Sequence, residues 1–168
     1  MSRGFVKEDD QEETPLITPR ANLPIGIVNY VTANGLKELK DERDLLIEEQ
    51  KILIEQSKEL NRVQINYITA KLRLLEERIN SAKVVTLSSQ PKNKINFGAT
   101  VKLYKQKEKC ECLYQIVGVD EANVSKNKVS FLSPIAKSLM NKKVGDSISL
   151  QTPKGEQIMK VEGIKYTS

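Results

Sequence analysis

A heptad seam in the second quarter of the chain constrains the fold most. Apolar residues recur there at alternating spacings of three and four, at Ile65, Ile68, Leu72, Leu75, Ile79 and Ala82. This period lines them up along one stripe of a helix, which is stable when another helix covers it. The preceding segment carries a matching stripe, formed by Leu36, Leu39, Leu46 and Leu53. Arg43 and Gln50 interrupt that stripe.

The two stripes predict an antiparallel coiled-coil hairpin over residues 32–85. One continuous helix of ~50 residues would be ~75 Å long and would leave both stripes uncovered in a monomer. A turn near 56–59 folds one stripe onto the other, although no Gly or Pro marks it. Thr32 or Asn34 is a suitable N-cap for the first helix. The alternative is a straight helix that forms a homodimer through the stripes.

The helical periodicity of the sequence ends after residue 85. A linker at 86–92 is followed by short β-prone runs separated by turns, at 99–104, 113–119, 128–132, 146–150 and 156–163. Between the third and fourth runs, Ser133 is a natural N-cap and Pro134 suits the first position of a short helix. We therefore predict an α+β protein in which residues 93–168 form an antiparallel β-sheet domain with one short helix.

Residues 1–31 have no helical or strand periodicity. They combine an acidic run with Pro15, Pro19 and Pro24, a composition typical of an extended or disordered arm. We expect an extended or disordered acidic arm that a partner can order.

Charge divides the chain into unlike parts. Residues 1–35 are net acidic and 36–83 are balanced, whereas 84–168 hold fourteen Lys against seven acidic residues and no Arg. A basic module of this kind suits nucleic acid, an acidic protein patch or simple solvation. The absence of Arg disfavours bidentate recognition of bases.

Several classes of protein are excluded by composition. No apolar run approaches the ~20 residues of a membrane span, and the first ten residues lack the apolar stretch of a secretory signal. We expect a soluble cytoplasmic protein. With no His and only Cys110 and Cys112, the chain has neither a zinc quartet nor a disulfide framework. We expect reduced thiols.

The second half of the chain carries five spaced motifs, which are Phe97-Gly-Ala, the run 114–121, Ser130-Phe-Leu-Ser-Pro-Ile-Ala-Lys-Ser-Leu139, Lys143-Val-Gly-Asp146 and Thr152-Pro-Lys-Gly-Glu156. In this order they resemble the C-terminal domain of the GreA/GreB transcript cleavage factors. The stretches 30–39 and 75–85 are similar to the beginning and end of the family's helical hairpin. The resemblance covers about residues 28–168.

The resemblance implies an FKBP-like domain that docks on bacterial RNA polymerase at the secondary channel, which the hairpin enters. It implies a monomeric regulator that has no catalytic site, no cofactor and no membrane contact. Such a regulator contacts nucleic acid only indirectly, through the transcription complex. Carried over by motif, the polymerase-docking residues are Ser133, Pro134 and, more loosely, Ile135. No isomerase activity is implied, and the domain has few aromatic residues, Phe97 and Phe131 among them, to line a prolyl pocket.

The hairpin tip departs from the family pattern. The family carries an Asp-Leu-x-Glu-Asn-like signature there, whose carboxylates help to hold a Mg²⁺ ion in the polymerase. Nothing between Gln50 and Asn66 matches it, and the nearest tip residues are Glu55, Ser57 and Glu59. The main hypothesis is a Gre-like factor that modulates elongation, pausing or backtracking. The alternatives are a genuine cleavage stimulator, in which Glu55 and Glu59 hold Mg²⁺ only together with polymerase, and an interaction module unrelated to polymerase.

Overall fold

The computed structural model describes residues 15–167. In chain order the elements are β1 (Asn29–Val31), α1 (Ala33–Ser57), α2 (Arg62–Ser81), β2 (Ala82–Val84), β3 (Thr100–Lys105), β4 (Cys110–Val117), β5 (Lys128–Ser130), α3 (Pro134–Leu139), β6 (Ser147–Thr152) and β7 (Gly155–Lys165). The α+β fold predicted from the sequence, a helical hairpin ahead of a β-sheet domain, is confirmed.

Helices α1 and α2 form the hairpin through the two predicted stripes. Leu39 and Leu46 of α1 are buried against Ile68 and Leu75 of α2, and flanking leucines and Ile79 extend the contact. Both polar residues that interrupt the first stripe meet polar residues of α2. Gln50 Nε2 donates to Thr69 Oγ1 at 2.8 Å, and Arg43 Nε lies 3.9 Å from a carboxylate oxygen of Glu76.

The ends of α1 are set by local hydrogen bonds. The Thr32 hydroxyl accepts the backbone N–H of Gly35 at 2.9 Å and so caps the helix at its beginning. Residues 58–61 join the two helices, and the Asn61 side-chain amide donates to the carbonyl of Leu53 at 2.9 Å. At 25 residues, α1 is about 37 Å long. The connection overlaps the predicted turn at 56–59.

The β-domain holds one five-stranded sheet in the order β5-β4-β3-β7-β6. Its pairs are antiparallel except β4 and β5, which run parallel, an exception that the predicted antiparallel sheet did not include. One face of the sheet and helix α3 enclose a core that includes Val101, Leu103, Ile116, Leu139 and Val161. No helix among residues 15–167 is long and apolar enough to cross a membrane.

The predicted arm is attached to the rest of the molecule over its described part. Strand β1 pairs in parallel with β2 through Asn29–Ala82, Tyr30–Lys83 and Val31–Val84. On its other side, the backbone of Tyr30 passes so close to Gly118 that a Cβ on that glycine would lie 2.5 Å from the Tyr30 carbonyl oxygen. Residues 1–14, which hold the acidic run of the arm, lie outside the described residues.

Candidate functional site

The hairpin tip places the three residues singled out there at the end of α1 and in the connection. Glu55 and Glu59 are exposed, and Ser57 is half-buried. The Ser57 hydroxyl accepts the backbone N–H of Leu60 at 3.4 Å. Among the described residues, no group of three His, Cys, Asp or Glu side chains is placed to hold a metal ion. A Mg²⁺ ion bound by the two tip carboxylates would therefore need oxygen ligands from water, phosphate or another protein to complete its octahedral coordination.

The most exposed apolar side chains of the tip were not singled out from the sequence. Leu60 is 88% exposed and Val63 is 79% exposed, and Ile52 and Ile54 of α1 are each nearly half exposed. The heptad pattern assigns no role to these positions, because they lie outside the seam. The tip thus presents apolar surface together with charged side chains of both signs.

The predicted docking residues lie at the beginning of α3. The Ser133 hydroxyl caps this helix by accepting the backbone N–H of Ala136 at 3.3 Å, and Pro134 occupies the first helical turn. Pro134 is exposed, Ser133 is half-buried, and Ile135 packs partly against the core of the domain. The structure therefore presents Pro134 to solvent and gives Ser133 and Ile135 structural contacts.

Two neighbouring carboxylates after β4 join the domain to the hairpin, and we call Asp120 and Glu121 the junction pair. Asp120 Oδ1 accepts a hydrogen bond of 3.0 Å from Arg20 Nε, and its Oδ2 lies 3.1 Å from Arg78 Nε at the end of α2. Arg20 also donates to both carboxylate oxygens of Glu42 in α1, at 2.9 and 3.0 Å. The hydrogen bond to Glu42 is the main cause that raises the pKa of Arg20 above its usual value.

Glu121 meets the first turn of α1 and is only 6% exposed. Its carboxylate accepts the Thr32 hydroxyl at 2.6 Å, the Asn34 side-chain amide at 3.1 Å and the Lys128 ammonium at 3.0 Å. A carboxylate at this place also complements the positive end of the α1 dipole. Gly35 makes room for it, because a Cβ there would lie 2.6 Å from Glu121 Oε2.

Three aromatic rings close the same junction. Tyr30 of β1 lies 5.9 Å from both Phe97 and Phe131, whose ring centroids are 5.6 Å apart. Two of the pairs are edge-to-face, a favourable arrangement for aromatic rings. The two phenylalanines of the domain therefore pack against the base of the hairpin.

A cleft of about 530 Å³ opens beside the junction, between the first turn of α1 and the end of β7. Its lining includes Asn34, Glu121 and Lys128, together with Leu87, Tyr166 and Thr167. The charged side chains in it are bonded to each other, so the cleft belongs to the junction.

The two cysteines lie on β4, away from the junction and the tip. Both are free thiols, Cys110 exposed and Cys112 half-buried. Burial is the main cause that raises the pKa of the Cys112 thiol. A raised pKa keeps the thiol protonated and makes it a poor nucleophile at neutral pH.

Comparison with known proteins identifies relatives of both halves of the chain. Residues 90–166 match the family described as "Transcription elongation factor, GreA/GreB, C-term". Transcription elongation factor GreA of Acidiphilium cryptum is 36% identical over 101 residues, which are 60% of this chain and 64% of that protein. GreA of Neorickettsia sennetsu is 28% identical over 151 residues, or 81% of this chain and 95% of the relative. The chain thus spans slightly less than two thirds of the Acidiphilium protein.

Two solved structures are also similar. GreA factor homolog 1 (Gfh1) of Thermus thermophilus has a TM-score of 0.39 and 26% sequence identity, covering 81% of this chain and 97% of its own. GreA/GreB from Nitrosomonas europaea has a TM-score of 0.42 and 19% identity, covering 82% and 98%.

Proposed function

We propose that the chain is a GreA/GreB-type transcription elongation factor that binds bacterial RNA polymerase at the secondary channel and modulates elongation, pausing or backtracking. The match of residues 90–166 to the GreA/GreB C-terminal family and the similarity to GreA of Neorickettsia sennetsu over 81% of the chain support this proposal. In this proposal the β-domain docks on the outside of the channel through the residues at the beginning of α3, and the hairpin extends into the channel. The protein acts as a regulator and carries no catalytic site of its own.

The observation that carries the proposal is the junction pair. Asp120 and Glu121 connect the family-matched domain to the arm, to the beginning of α1 and to the end of α2. A nearly buried ion-pair network of this kind fixes the direction of an element more firmly than a flexible linker would. The position at which the domain docks therefore determines where the hairpin tip points.

The tip supports modulation without metal chemistry. It presents Leu60 and Val63 at high exposure, and its two candidate carboxylates, Glu55 and Glu59, are exposed and supported by no third acidic ligand in the described part of the chain. Exposed apolar side chains such as these occupy space in a channel without adding charge to an active site.

Binding to purified bacterial RNA polymerase tests the docking step. Replacing the exposed Pro134 by Glu keeps a residue that the first helical turn accepts well but places a charge on the proposed contact. We expect an affinity loss of tenfold or more, whereas Pro153→Glu in the exposed β6–β7 turn leaves affinity unchanged. Absence of wild-type binding at low salt refutes the polymerase proposal, and equal affinities of both variants refute docking through α3.

The second candidate is stimulation of transcript cleavage, which the exposure of both Glu55 and Glu59 at the tip favours. Release of the RNA 3′ fragment from a backtracked complex measures it. If the wild-type protein accelerates release and the double variant Glu55→Ala/Glu59→Ala does not, this candidate replaces the first. The double variant Glu48→Ala/Glu49→Ala, in the exposed middle of α1, controls for lost charge.

The alternative of another class is a homodimer formed through the hairpin. Measuring the molecular mass of the protein in solution without polymerase distinguishes a dimer from a monomer.

A further inference from the structure

Two loops that are distant in sequence meet at one end of the β-domain. The backbone N–H of Ile95 donates to the carbonyl of Lys142, and the N–H of Asn141 donates to the carbonyl of Ile95, both at 2.8 Å. On the other side of the first loop, the Tyr166 hydroxyl donates to the Lys94 carbonyl at 2.6 Å and accepts the Asn96 N–H at 2.8 Å. Two hydrogen bonds therefore hold the two loops side by side, and two more fix the first loop to Tyr166.

The meeting of these loops gathers lysines, and we call the set the basic end. It comprises Lys92, Lys94, Lys142 and Lys143 of the two loops and Lys137 of helix α3, which directly precedes the second loop. All but the half-buried Lys94 are exposed. The acidic group found in these loops is that of Asp146, whose Oδ2 accepts the backbone N–H of Lys143 at 2.8 Å.

Three lysines elsewhere in the same domain have an acidic neighbour, whereas others, including Lys107, Lys126 and Lys154, form no ion pair among the residues that the structure describes. Lys102 lies 2.9 Å from Glu111, Lys105 lies 3.2 Å from Glu108, and Lys128 lies 3.0 Å from Glu121. Within residues 15–167, no acidic side chain forms an ion pair with any of the five lysines of the basic end. Like charges held together by a rigid backbone repel each other, a cost that a polyanion removes.

The surroundings of the lysines favour nucleic acid over an acidic protein. Protein–protein interfaces are depleted in Lys and are built around buried aromatic, Met or Arg anchors. The second loop offers one exposed apolar side chain, Val144 at 59% exposure, and residues 84–168 contain no Arg. Phosphate contacts, by contrast, need only positive charges that reach the backbone of a duplex.

We propose that the basic end binds the phosphate backbone of duplex nucleic acid without sequence preference. The duplex carries about one negative charge per 1.7 Å of axis, so several lysines of one rigid surface reach phosphates at once. The Lys ammonium groups act here as point charges. Arg, the residue that most often forms bidentate hydrogen bonds to guanine, is absent, so no sequence preference is expected. The proposal concerns the isolated chain and stands independently of polymerase binding. It differs from the expectation from the sequence, in which nucleic acid is met only through the transcription complex.

Fluorescence anisotropy with a labelled duplex of mixed sequence tests the proposal, using the full chain without polymerase. The triple variant Lys92→Ala/Lys142→Ala/Lys143→Ala removes three charges from the basic end. We expect its affinity at ~50 mM salt to fall about tenfold or more, and the slope of log K against log salt to drop by about 2 to 3, close to 0.9 for each lost phosphate contact. Two duplexes of unrelated sequence should bind equally.

A matched control removes three exposed lysines from outside the basic end, Lys107→Ala/Lys126→Ala/Lys154→Ala. Both triple variants should unfold at the wild-type temperature, since surface changes of this kind are nearly neutral. Equal weakening by both variants means a general charge effect and overturns the site. Absence of duplex binding by the wild-type protein at ~50 mM salt also overturns the proposed site. If the basic-end variant alone then lost affinity for polymerase, the basic end would be assigned to contact with an acidic protein.

Discussion

The carboxylate of Glu121 accepts a 2.6 Å hydrogen bond from the hydroxyl of Thr32, the residue that caps α1. The two residues belong to different parts of the fold, since Thr32 begins the hairpin and Glu121 follows strand β4 of the domain. The buried Thr32 side chain thus caps helix α1 and also connects the two halves of the molecule. The junction sets the orientation on which the proposed function depends.

Replacing Glu121 by Ala should destabilise the protein by about 3 kcal/mol, because it leaves Lys128 and the Thr32 hydroxyl without their buried partner. Urea denaturation followed by circular dichroism measures the change. Glu38→Ala is the control, because exposed Glu38 shares Asn34 as a partner but contacts no residue of the domain. A loss no larger than that of the control would show that the junction contributes little.

Replacing Gly35 by Ala should destabilise the wild-type protein by about 1–2 kcal/mol, although Ala is the better helix former by up to ~1 kcal/mol. The reason is steric, since the new Cβ would lie 2.6 Å from Glu121 Oε2. In the Glu121→Ala background the same change should become neutral or stabilising. A double-mutant cycle of unfolding free energies measures this coupling, and additive effects would contradict the steric account.

Replacing Gln50 by Leu should stabilise the hairpin by about 1 kcal/mol, because it completes the apolar seam between Leu46 and Leu53. Thr69 keeps a partner after the change, since its hydroxyl also donates to the Ile65 carbonyl at 2.8 Å. Gln56→Leu, at an exposed position of the same helix, should have no such effect. Thermal unfolding gives the comparison, and size-exclusion chromatography checks that the variant keeps the oligomeric state of the wild-type protein. A lower unfolding temperature of the Gln50 variant would contradict the prediction.

Replacing Tyr166 by Phe should cost about 1–2 kcal/mol at neutral pH, because the hydroxyl bonds to Lys94 and Asn96 are lost. Burial raises the pKa of Tyr166 above its usual value of 10, so the unfolded chain loses this proton first as the pH rises. The stability contributed by the hydroxyl is therefore present below about pH 10 and declines above it. The difference in unfolding free energy between the two proteins should shrink from pH 8 to pH 11. A constant difference would contradict this account.

Local and periodic features of the fold were predictable. The heptad seam identified Ile68 and Leu75, which are buried in the hairpin, because a 3.5-residue period permits only one helical face. Ser133 and Pro134 marked the beginning of α3 because capping depends on residues a few positions apart. At the tip, the sequence shows that the acidic signature is absent. The exposure of Leu60 and Val63 was not predictable, since it depends on which side chains α2 leaves uncovered.

The sequence by itself determined the helical hairpin, the short helix α3 and the resemblance to GreA/GreB factors, because periodicity, caps and spaced motifs are written along the chain. Only the tertiary structure decided which charges are satisfied. Asp120 and Glu121 look like one acidic pair in a turn. In the fold, however, Asp120 forms ion pairs with Arg20 and Arg78, and Glu121 accepts a hydrogen bond from Thr32. Lys92 and Lys142 look like scattered surface lysines, yet paired loops bring them to one end of the domain. Electrostatic energy depends on distances in space, which residue order leaves open.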